Sequence, residues 1–145
     1  MFFGGNILNL IALICDDDNS CCETILNYFK KYCDERQISY DYDCTVDPCL
    51  AISNSNHYNI AFLDIEMGNT NGLEIAKELK KLNNNIIIFF ITSHEKYIDS
   101  AMDLLALRFL KKPLDYTRFY SGLDRAIELI NEDVIELYLK DQKRL

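Results

Sequence analysis

Apolar positions follow two different patterns along this chain. Residues 10–15 and 86–91 form short, almost unbroken apolar runs, whereas the longer segments between such runs repeat an apolar residue every three or four positions. An unbroken run of β-forming residues is typical of a strand covered on both faces, and the longer repeat is typical of an amphipathic helix. The chain therefore predicts buried strands in alternation with helices.

Five strands are predicted in this way, at residues 10–15, 38–42, 60–63, 86–91 and 107–110. The apolar faces of four helices are predicted as Cys22, Ile25, Leu26, Phe29 and Cys33; Leu73, Ala76, Leu79 and Leu82; Ile98, Ala101, Met102 and Leu105; and Tyr116, Phe119, Leu123, Ile127 and Ile130. Ser20 and Glu23 have the spacing of a capping box, which marks the start of the first helix. A short helix is predicted from Pro48 with its exit at residues 54–56, and Asp115 is the predicted cap of the last helix.

Strict alternation of strands and helices predicts parallel βαβ units with right-handed crossovers. Five such units fit a doubly wound sheet, since a closed barrel of this kind needs eight strands. The predicted fold class is therefore α/β, with one five-stranded parallel sheet. In such sheets ligands bind outside the carboxyl ends of the strands.

The domain boundaries are expected near both ends of the chain. Residues 1–9 are interpreted as a tail or a cloning remnant, and residues 10–130 as one domain. Residues 131–145 are interpreted as a linker or as the start of an effector domain that this chain lacks. Within them, residues 134–140 fit either a helical extension or a first strand.

Composition and charge limit the function classes. The 145 residues are 49% hydrophobic and carry a net charge of -8, which argues against disorder and against a surface that binds DNA or RNA directly. The six cysteines include no Cys-x-x-Cys pair, so reduced thiols in a cytoplasmic protein are expected. The apolar residues 7–15 have no basic residue before them and are too short to span a membrane, so neither a signal peptide nor a membrane segment is predicted.

Acidic, hydroxyl and basic side chains follow four of the predicted strands. The aspartates at residues 16–18 follow the first strand, Asp64 the third, Thr92 ends the fourth and Lys112 follows the fifth. Clustered carboxylates repel one another unless a cation is present, and Mg²⁺ prefers such oxygen ligands. A carboxylate can attack phosphorus, and a metal ion with an ammonium group stabilises the transferring phosphoryl group. Each residue alone also fits a helix cap, a turn or an exposed charge, but their joint occurrence in this order suits phosphoryl acceptance on an aspartate.

These residues give the sequence a specific resemblance to the receiver domains of two-component response regulators. The segments that carry it are Ile-Cys-Asp-Asp-Asp at 14–18, Phe-Leu-Asp-Ile-Glu-Met at 62–67, Asn-Gly-Leu-Glu at 71–74, Ile-Thr-Ser-His at 91–94 and Phe-Leu-Lys-Lys-Pro at 109–113. The wording around residues 14–17 and 92–97 is most similar to receivers that precede a LytTR-type DNA-binding domain. The resemblance implies a flavodoxin-like fold with strand order 2-1-3-4-5.

The resemblance also implies a role for each site residue. Asp64 is the implied phosphoacceptor, with Mg²⁺ held directly by Asp17, through water by Asp16, and by the backbone carbonyl of Glu66. Thr92 is implied to hydrogen-bond the phosphoryl group and shift inward on activation.

On the other side of the site, Lys112 is implied to pair with the phosphoryl oxygens and Asp64, and its bond to Pro113 is expected to be cis. Phe109 occupies the position of an aromatic switch residue, and ordinary strand packing explains it equally well. Gly68 departs from the family, which often has proline there, so the loop is expected to be looser.

The implied function is a switch rather than an enzyme. A sensor histidine kinase is the expected phosphoryl donor, and the surface of the fourth helix, fifth strand and fifth helix is the expected output and homodimer surface. DNA is expected to be reached only through an effector domain, and no contact with a membrane is expected.

Two alternatives remain at the level of the sequence. A haloacid-dehalogenase-like phosphohydrolase also uses a strand-end aspartate with Mg²⁺, but it needs a second aspartate where this chain has Glu66. A receiver-shaped interaction module that is never phosphorylated typically lacks one of the acidic residues or the lysine, and this chain has them all.

Overall fold

The computed structural model describes the backbone of residues 2–3, 6–7, 9–53 and 57–143, and the side chains of residues 9–53, 57–133 and 139–141. Five strands form the central sheet: β1 (Asn9–Cys15), β2 (Ser39–Cys44), β3 (Ile60–Leu63), β4 (Ile87–Thr92) and β5 (Arg108–Lys111). Their spatial order is β2-β1-β3-β4-β5 and all neighbours are parallel. The predicted fold class and strand order are confirmed.

Five helices connect and follow these strands. They are α1 (Asn19–Glu35), α2 (Pro48–Ser53), α3 (Gly72–Leu82), α4 (Ile98–Asp103) and α5 (Tyr116–Lys143). A short 3₁₀ turn, Glu95–Tyr97, precedes α4. Two-residue antiparallel pairs join Phe2–Phe3 to Asn6–Ile7 and Glu66–Met67 to Thr70–Asn71.

The sheet separates two hydrophobic layers, and alternate residues of each strand face opposite layers. Phe62 and Phe89 pack with Phe29 and Phe119 on the side of α1 and α5. On the other side, Phe90 packs in the layer with residues of α3 and α4. Because both faces of β3 and β4 are buried, these strands have no polar alternation, which explains their unbroken apolar sequences.

Two predictions about the helices are wrong. Asp18, not Ser20, caps α1, because the carboxylate of Asp18 accepts a hydrogen bond from the Ser20 backbone N–H at 2.9 Å. Leu105 does not belong to the face of α4, since the helix ends at Asp103. Leu105 has a left-handed backbone with φ of 59° and is 77% exposed.

The ends of the chain show regular backbone where the structure describes them. Within the predicted tail, Asn9 already belongs to β1. Residues 134–140 are helical, because α5 continues to Lys143. The predicted helix exit at residues 54–56 lies outside the described residues, and the domain boundaries stay predictions.

The helices within the described part of the chain include none that is both long and apolar enough to cross a membrane. The six cysteines are free thiols.

Candidate functional site

The carboxyl ends of β1 and β3 bring three aspartates together. Cys15 and Leu63 are paired in register at the ends of these strands, so the residues that follow them are neighbours across the sheet. Asp16, Asp17 and Asp64 each place one carboxylate oxygen within 4.8 Å of the others. We call this cluster, together with Lys112, the acid pocket.

Lys112 enters the acid pocket from the end of β5. Its backbone N–H donates to the carbonyl oxygen of Thr92 at 3.0 Å, which extends the pairing of β4 and β5 by one residue. Its ammonium nitrogen lies 2.8 Å from Asp16 Oδ2 and 2.9 Å from Asp64 Oδ2. The bond between Lys112 and Pro113 is cis, as expected.

Burial sets the electrostatics of the pocket. Asp16 is 4% exposed and Asp64 is 6% exposed, whereas Asp17 lies at the exposed mouth. Burial raises the pKa of Asp16, although the nearby Lys112 ammonium group and a hydrogen bond from the Asp18 backbone oppose the change. Burial by itself disfavours the charged form of Lys112, but the adjacent carboxylates of Asp16 and Asp64 outweigh it and raise the pKa of Lys112. Lys112 is therefore protonated and positively charged at neutral pH.

One carboxylate oxygen in the pocket remains poorly satisfied. Asp64 Oδ1 accepts from the Ile65 backbone N–H at 2.7 Å, and Asp16 Oδ1 accepts from the Asp18 backbone N–H at 2.9 Å. Asp16 Oδ2 is buried and has no aligned hydrogen-bond donor among the described residues. Lys112 is near enough for an ion pair with this atom but lies off the direction of a hydrogen bond.

A divalent cation fits this donor set. Three carboxylate oxygens converge within 4.8 Å. Asp16 Oδ2 lies 2.8 Å from the Lys112 ammonium nitrogen and accepts no aligned hydrogen bond from the described residues. Mg²⁺ takes oxygen ligands and is usually bound by one or two carboxylates with several waters. The acidic cluster is therefore able to hold a metal ion of this type.

Glu66 turns its side chain away from the three aspartates. Its carboxylate accepts a hydrogen bond from Tyr97 Oη and lies 3.1 Å from His94 Nε2 and 3.5 Å from Lys96 Nζ. The hydrogen bond from Tyr97, with smaller contributions from His94 and Lys96, lowers the pKa of Glu66. The side chain thus joins the loop after β3 to the loop after β4, and the predicted metal ligation by its backbone carbonyl stays a prediction.

The remaining predicted site residues lie on β4 and β5. Thr92 is fully buried at the end of β4, and its Oγ1 accepts from the backbone N–H of His94 at 3.3 Å. Phe109 is half-buried on β5 and packs against the layer that contains Phe90. Their predicted switch roles stay predictions.

Gly72 is a positioning residue that the sequence interpretation missed. A Cβ atom at this position would lie 1.9 Å from the carbonyl oxygen of Asp64. The Gly72 backbone N–H donates to the carbonyl oxygen of Ile65 at 2.7 Å, so α3 begins in direct contact with the Asp64 segment. The signals in the sequence are its place directly after Asn71, which caps α3, and in the Asn-Gly-Leu-Glu segment that carries the family resemblance.

Comparisons with known proteins agree with this geometry. The sequence matches the family described as response regulator receiver domain over residues 12–124. Sensory transduction protein LytT of Bacillus anthracis is 32% identical over 116 residues, which are 80% of this chain and 47% of that protein. Transcriptional regulatory protein LytR of Staphylococcus aureus (strain N315) is 30% identical over 70 residues, which are 48% of this chain and 28% of that protein. The chain spans about half the length of the LytT relative.

A solved structure shows the same fold. The response regulator receiver domain protein (CheY-like) from Methanospirillum hungatei JF-1 superimposes with a TM-score of 0.68 at 15% identity, covering 88% of this chain and 99% of that one. The family match covers most of the chain, and the relatives are of the LytT and LytR type that the motifs resemble. This chain therefore belongs to the receiver domains of two-component response regulators.

Proposed function

We propose that this receiver accepts a phosphoryl group on Asp64 from a phosphohistidine of a sensor histidine kinase, with Mg²⁺ bound in the acid pocket. The observation that carries the proposal is the position of Lys112 Nζ, which lies between Asp16 and Asp64 at 2.8 and 2.9 Å. An ammonium group so placed can neutralise carboxylates before transfer and phosphoryl oxygens after it.

Neighbouring groups orient the side chain of Asp64 for attack on phosphorus. The Ile65 backbone N–H holds Oδ1 and Lys112 holds Oδ2, so the carboxylate cannot rotate freely. One oxygen forms the new bond to phosphorus while the bond from phosphorus to the donor imidazole breaks, and the imidazole leaves as a neutral base after protonation. Positioning of this kind is the main contribution that a protein makes to phosphoryl transfer.

The acid pocket has the ligands for the metal that this chemistry needs. Asp17 at the mouth and Asp64 are the proposed direct carboxylate ligands, Asp16 the proposed partner of a metal-bound water, and Glu66 the proposed carbonyl ligand. Mg²⁺, when bound, offsets the negative charge of the carboxylates and of the transferring group.

Thr92 and Phe109 are the proposed switch residues. The Thr92 hydroxyl lies at the end of β4 and can donate its proton to a phosphoryl oxygen, because it uses only a lone pair toward His94. An inward shift of Thr92 would open space for Phe109 on the neighbouring strand, where Phe90 and Phe109 are paired in register. The aspartyl phosphate then biases a surface formed by α4, β5 and α5 between two states.

The proposed output of this surface is transcriptional. The curated relatives include a transcriptional regulatory protein, and the part that this chain matches is 47% of the LytT relative. We propose residues 10–130 as the receiver and residues 131–145 as a linker or the start of an effector domain, through which alone DNA is bound. Homodimerisation through the α4-β5-α5 surface is part of the same proposal, and a cytoplasmic location follows from a cytoplasmic kinase domain as donor.

Intact-mass analysis after incubation with acetyl phosphate and Mg²⁺ tests this function. The expected result is the addition of one phosphoryl group per chain, absent in Asp64→Asn and absent when EDTA removes the metal. Asp18→Asn is a matched control, since Asp18 is an exposed helix cap outside the metal cluster.

The same reaction separates the two alternatives. Sustained release of many equivalents of phosphate would identify a phosphohydrolase, and an unchanged mass would identify an interaction module without phosphorylation. In either case the proposed function would be wrong.

A further inference from the structure

Tyr97 joins the two loops that follow β3 and β4. It ends the 3₁₀ turn after β4, and its ring packs against the hydrophobic layer that contains Phe90. Its hydroxyl donates a hydrogen bond to the carboxylate of Glu66, in the loop after β3. Because the ring is anchored in the hydrophobic layer while the hydroxyl reaches across to the other loop, Tyr97 limits where the Glu66 side chain can lie.

Two further side chains of the loop after β4 contact the same carboxylate. His94 Nε2 lies 3.1 Å from Glu66 Oε2, and Lys96 Nζ lies 3.5 Å from Glu66 Oε1, the oxygen that accepts from Tyr97. Water and salt screen these charges, because Glu66 and Lys96 are exposed. The hydrogen bond from Tyr97 has a required direction, and it is therefore the contact that orients the carboxylate.

The backbone of Glu66 is held by the short antiparallel ladder after β3, in which Glu66 lies opposite Asn71. The residues before and after this pair, Ile65 and Gly72, are hydrogen-bonded, since the Gly72 backbone N–H donates to the Ile65 carbonyl oxygen at 2.7 Å. Hydrogen-bonded and non-hydrogen-bonded pairs alternate along an antiparallel ladder, so Glu66 and Asn71 form a pair of the second kind. The backbone carbonyl of Glu66 therefore points out of the ladder, which makes no use of it.

We propose that Tyr97 is a positioning residue for Mg²⁺ binding, whose hydroxyl fixes Glu66 so that the backbone carbonyl of Glu66 faces the acid pocket as a ligand. Mg²⁺ demands near-ideal octahedral geometry, so its affinity falls when a ligand is misplaced. Groups that orient metal ligands from outside commonly change the affinity by about tenfold or more. This inference deepens the proposed function and rests on its metal site.

Titration of the unphosphorylated protein with Mg²⁺ by isothermal calorimetry tests this role. Tyr97→Phe keeps the aromatic ring and loses only the hydroxyl, and it should bind Mg²⁺ at least about fivefold more weakly than the wild type. The substitution changes no charge at neutral pH, so altered attraction of the cation does not explain a weaker affinity. The ratio of the two affinities should therefore persist when salt is added.

Tyr42→Phe is the matched control. Tyr42 is half-buried like Tyr97, but it lies on β2, outside the loops after β3 and β4. Its loss of a hydroxyl should change the Mg²⁺ affinity by less than about twofold. Equal weakening by the two variants would show a general effect of losing a phenol hydroxyl and would overturn the proposal.

A double-mutant cycle with Glu66→Ala separates positioning from other roles of Tyr97. Glu66→Ala keeps the backbone carbonyl but removes the carboxylate that Tyr97 holds, so it should also weaken Mg²⁺ binding. In this background Tyr97→Phe should have no further effect, because the hydroxyl has already lost its partner. Additive losses would mean that Tyr97 acts by a route other than Glu66, and the proposal would be wrong.

Thermal unfolding in EDTA completes the test. Tyr97→Phe should unfold at nearly the temperature of the wild type, since its effect requires the metal; a large loss of stability in EDTA would show a structural role instead and overturn the inference. If the wild type binds Mg²⁺ and is phosphorylated on Asp64 while Tyr97→Phe binds Mg²⁺ equally well, only this inference fails. A wild type that binds no Mg²⁺ overturns the proposed function as well.

Discussion

The amino ends and the carboxyl ends of the strands, which we call the amino edge and the carboxyl edge of the sheet, differ in how their polar side chains are paired. At the amino edge, Asn59 accepts from the Ile11 backbone N–H at 2.7 Å and donates its own backbone N–H to the Ile11 carbonyl oxygen at 2.9 Å. At the carboxyl edge, Asp16 and Asp64 are buried, Lys112 is half-buried beside them, and one oxygen of Asp16 has no aligned hydrogen-bond donor among the described residues. The neutral amide of Asn59 completes the backbone pairing at the amino edge, while the carboxylates at the carboxyl edge are able to bind a metal ion.

The difference teaches where this fold tolerates instability. A half-buried amide whose hydrogen bonds are made, such as Asn59, adds to stability, whereas a buried carboxylate with a raised pKa, such as Asp16, lowers stability unless a cation is bound beside it. Local rules of stability are commonly broken at functional sites. Substitutions at the two edges should therefore separate stability from phosphoryl chemistry.

The largest expected effect is on chemistry and comes from Lys112→Met. Loss of the ammonium group removes a donor that stabilises the transferring phosphoryl group, so the rate of phosphorylation by acetyl phosphate should fall about 100-fold or more. A time course by intact mass measures this rate. Lys111→Met is the control, because Lys111 is exposed and its ion pair among the described residues is with Glu95 at 3.1 Å, and its rate should stay within about twofold. Equal rates for the two variants would remove Lys112 from the mechanism.

Gly72→Ala should give the next largest effect, on stability. The added methyl group would meet the carbonyl oxygen of Asp64 at 1.9 Å, and the backbone must shift to relieve the overlap. We expect a loss of about 3 kcal/mol in the free energy of unfolding, measured with urea, together with slower phosphorylation.

Gly68→Ala tests whether the effect at Gly72 comes from close contact. Gly68 has a left-handed backbone with φ of 56°, and apart from its neighbours in sequence no described residue has an atom within 4 Å of the place that an added methyl group would take. Only backbone strain of about 1 kcal/mol is therefore expected. A larger loss at Gly68 than at Gly72 would contradict the contact argument.

Asn59→Ala should weaken the protein without changing its chemistry. The substitution leaves the Ile11 backbone N–H without its partner, which should lower the free energy of unfolding by about 2 kcal/mol. Phosphorylation of the folded protein should proceed at the rate of the wild type. If the fully folded Asn59→Ala variant is phosphorylated more slowly than the wild type, the amino edge influences the chemistry at the carboxyl edge, and this prediction is wrong.

The smallest expected effect, with the opposite sign, is that of Asp16→Asn. Since the folded-state pKa of Asp16 lies above its unfolded value, the contribution of Asp16 to stability is greatest at acidic pH and is lost as the pH rises through the folded-state pKa. An uncharged amide removes this loss, so the variant should be slightly more stable than the wild type at neutral pH in EDTA. Lys112 keeps Asp64 as a partner at 2.9 Å.

Added Mg²⁺ completes the test of Asp16. It should stabilise the wild type more than Asp16→Asn, as measured by thermal unfolding with and without the metal. A variant that is less stable in EDTA and equally stabilised by Mg²⁺ would contradict the interpretation of the carboxyl edge.

The sequence predicts most of this fold because each strand and helix has a distinct apolar period. It also predicts the acid pocket, because carboxyl ends of parallel strands converge regardless of sequence separation. Asp16, Asp64 and Lys112 were assembled from this rule and the family resemblance, and the structure brings them together.

Tertiary contacts account for what the sequence did not predict. Glu66 and Tyr97 are 31 residues apart, and no local pattern indicates their hydrogen bond. The closeness of Gly72 to Asp64 depends on where α3 packs, not on the residues beside it. Leu105 continues a helical apolar repeat, but the chain turns before it, because periodicity does not mark the end of a helix.

The length of α5 has a mechanical consequence. Its 28 residues span roughly 42 Å, and the helix begins only four residues after Lys112. A tilt of α5 by a few degrees about Tyr116 would move its other end, at Lys143, by several ångströms. A small change in angle at the acid pocket end of α5 would thus become a large displacement at the other end of the helix.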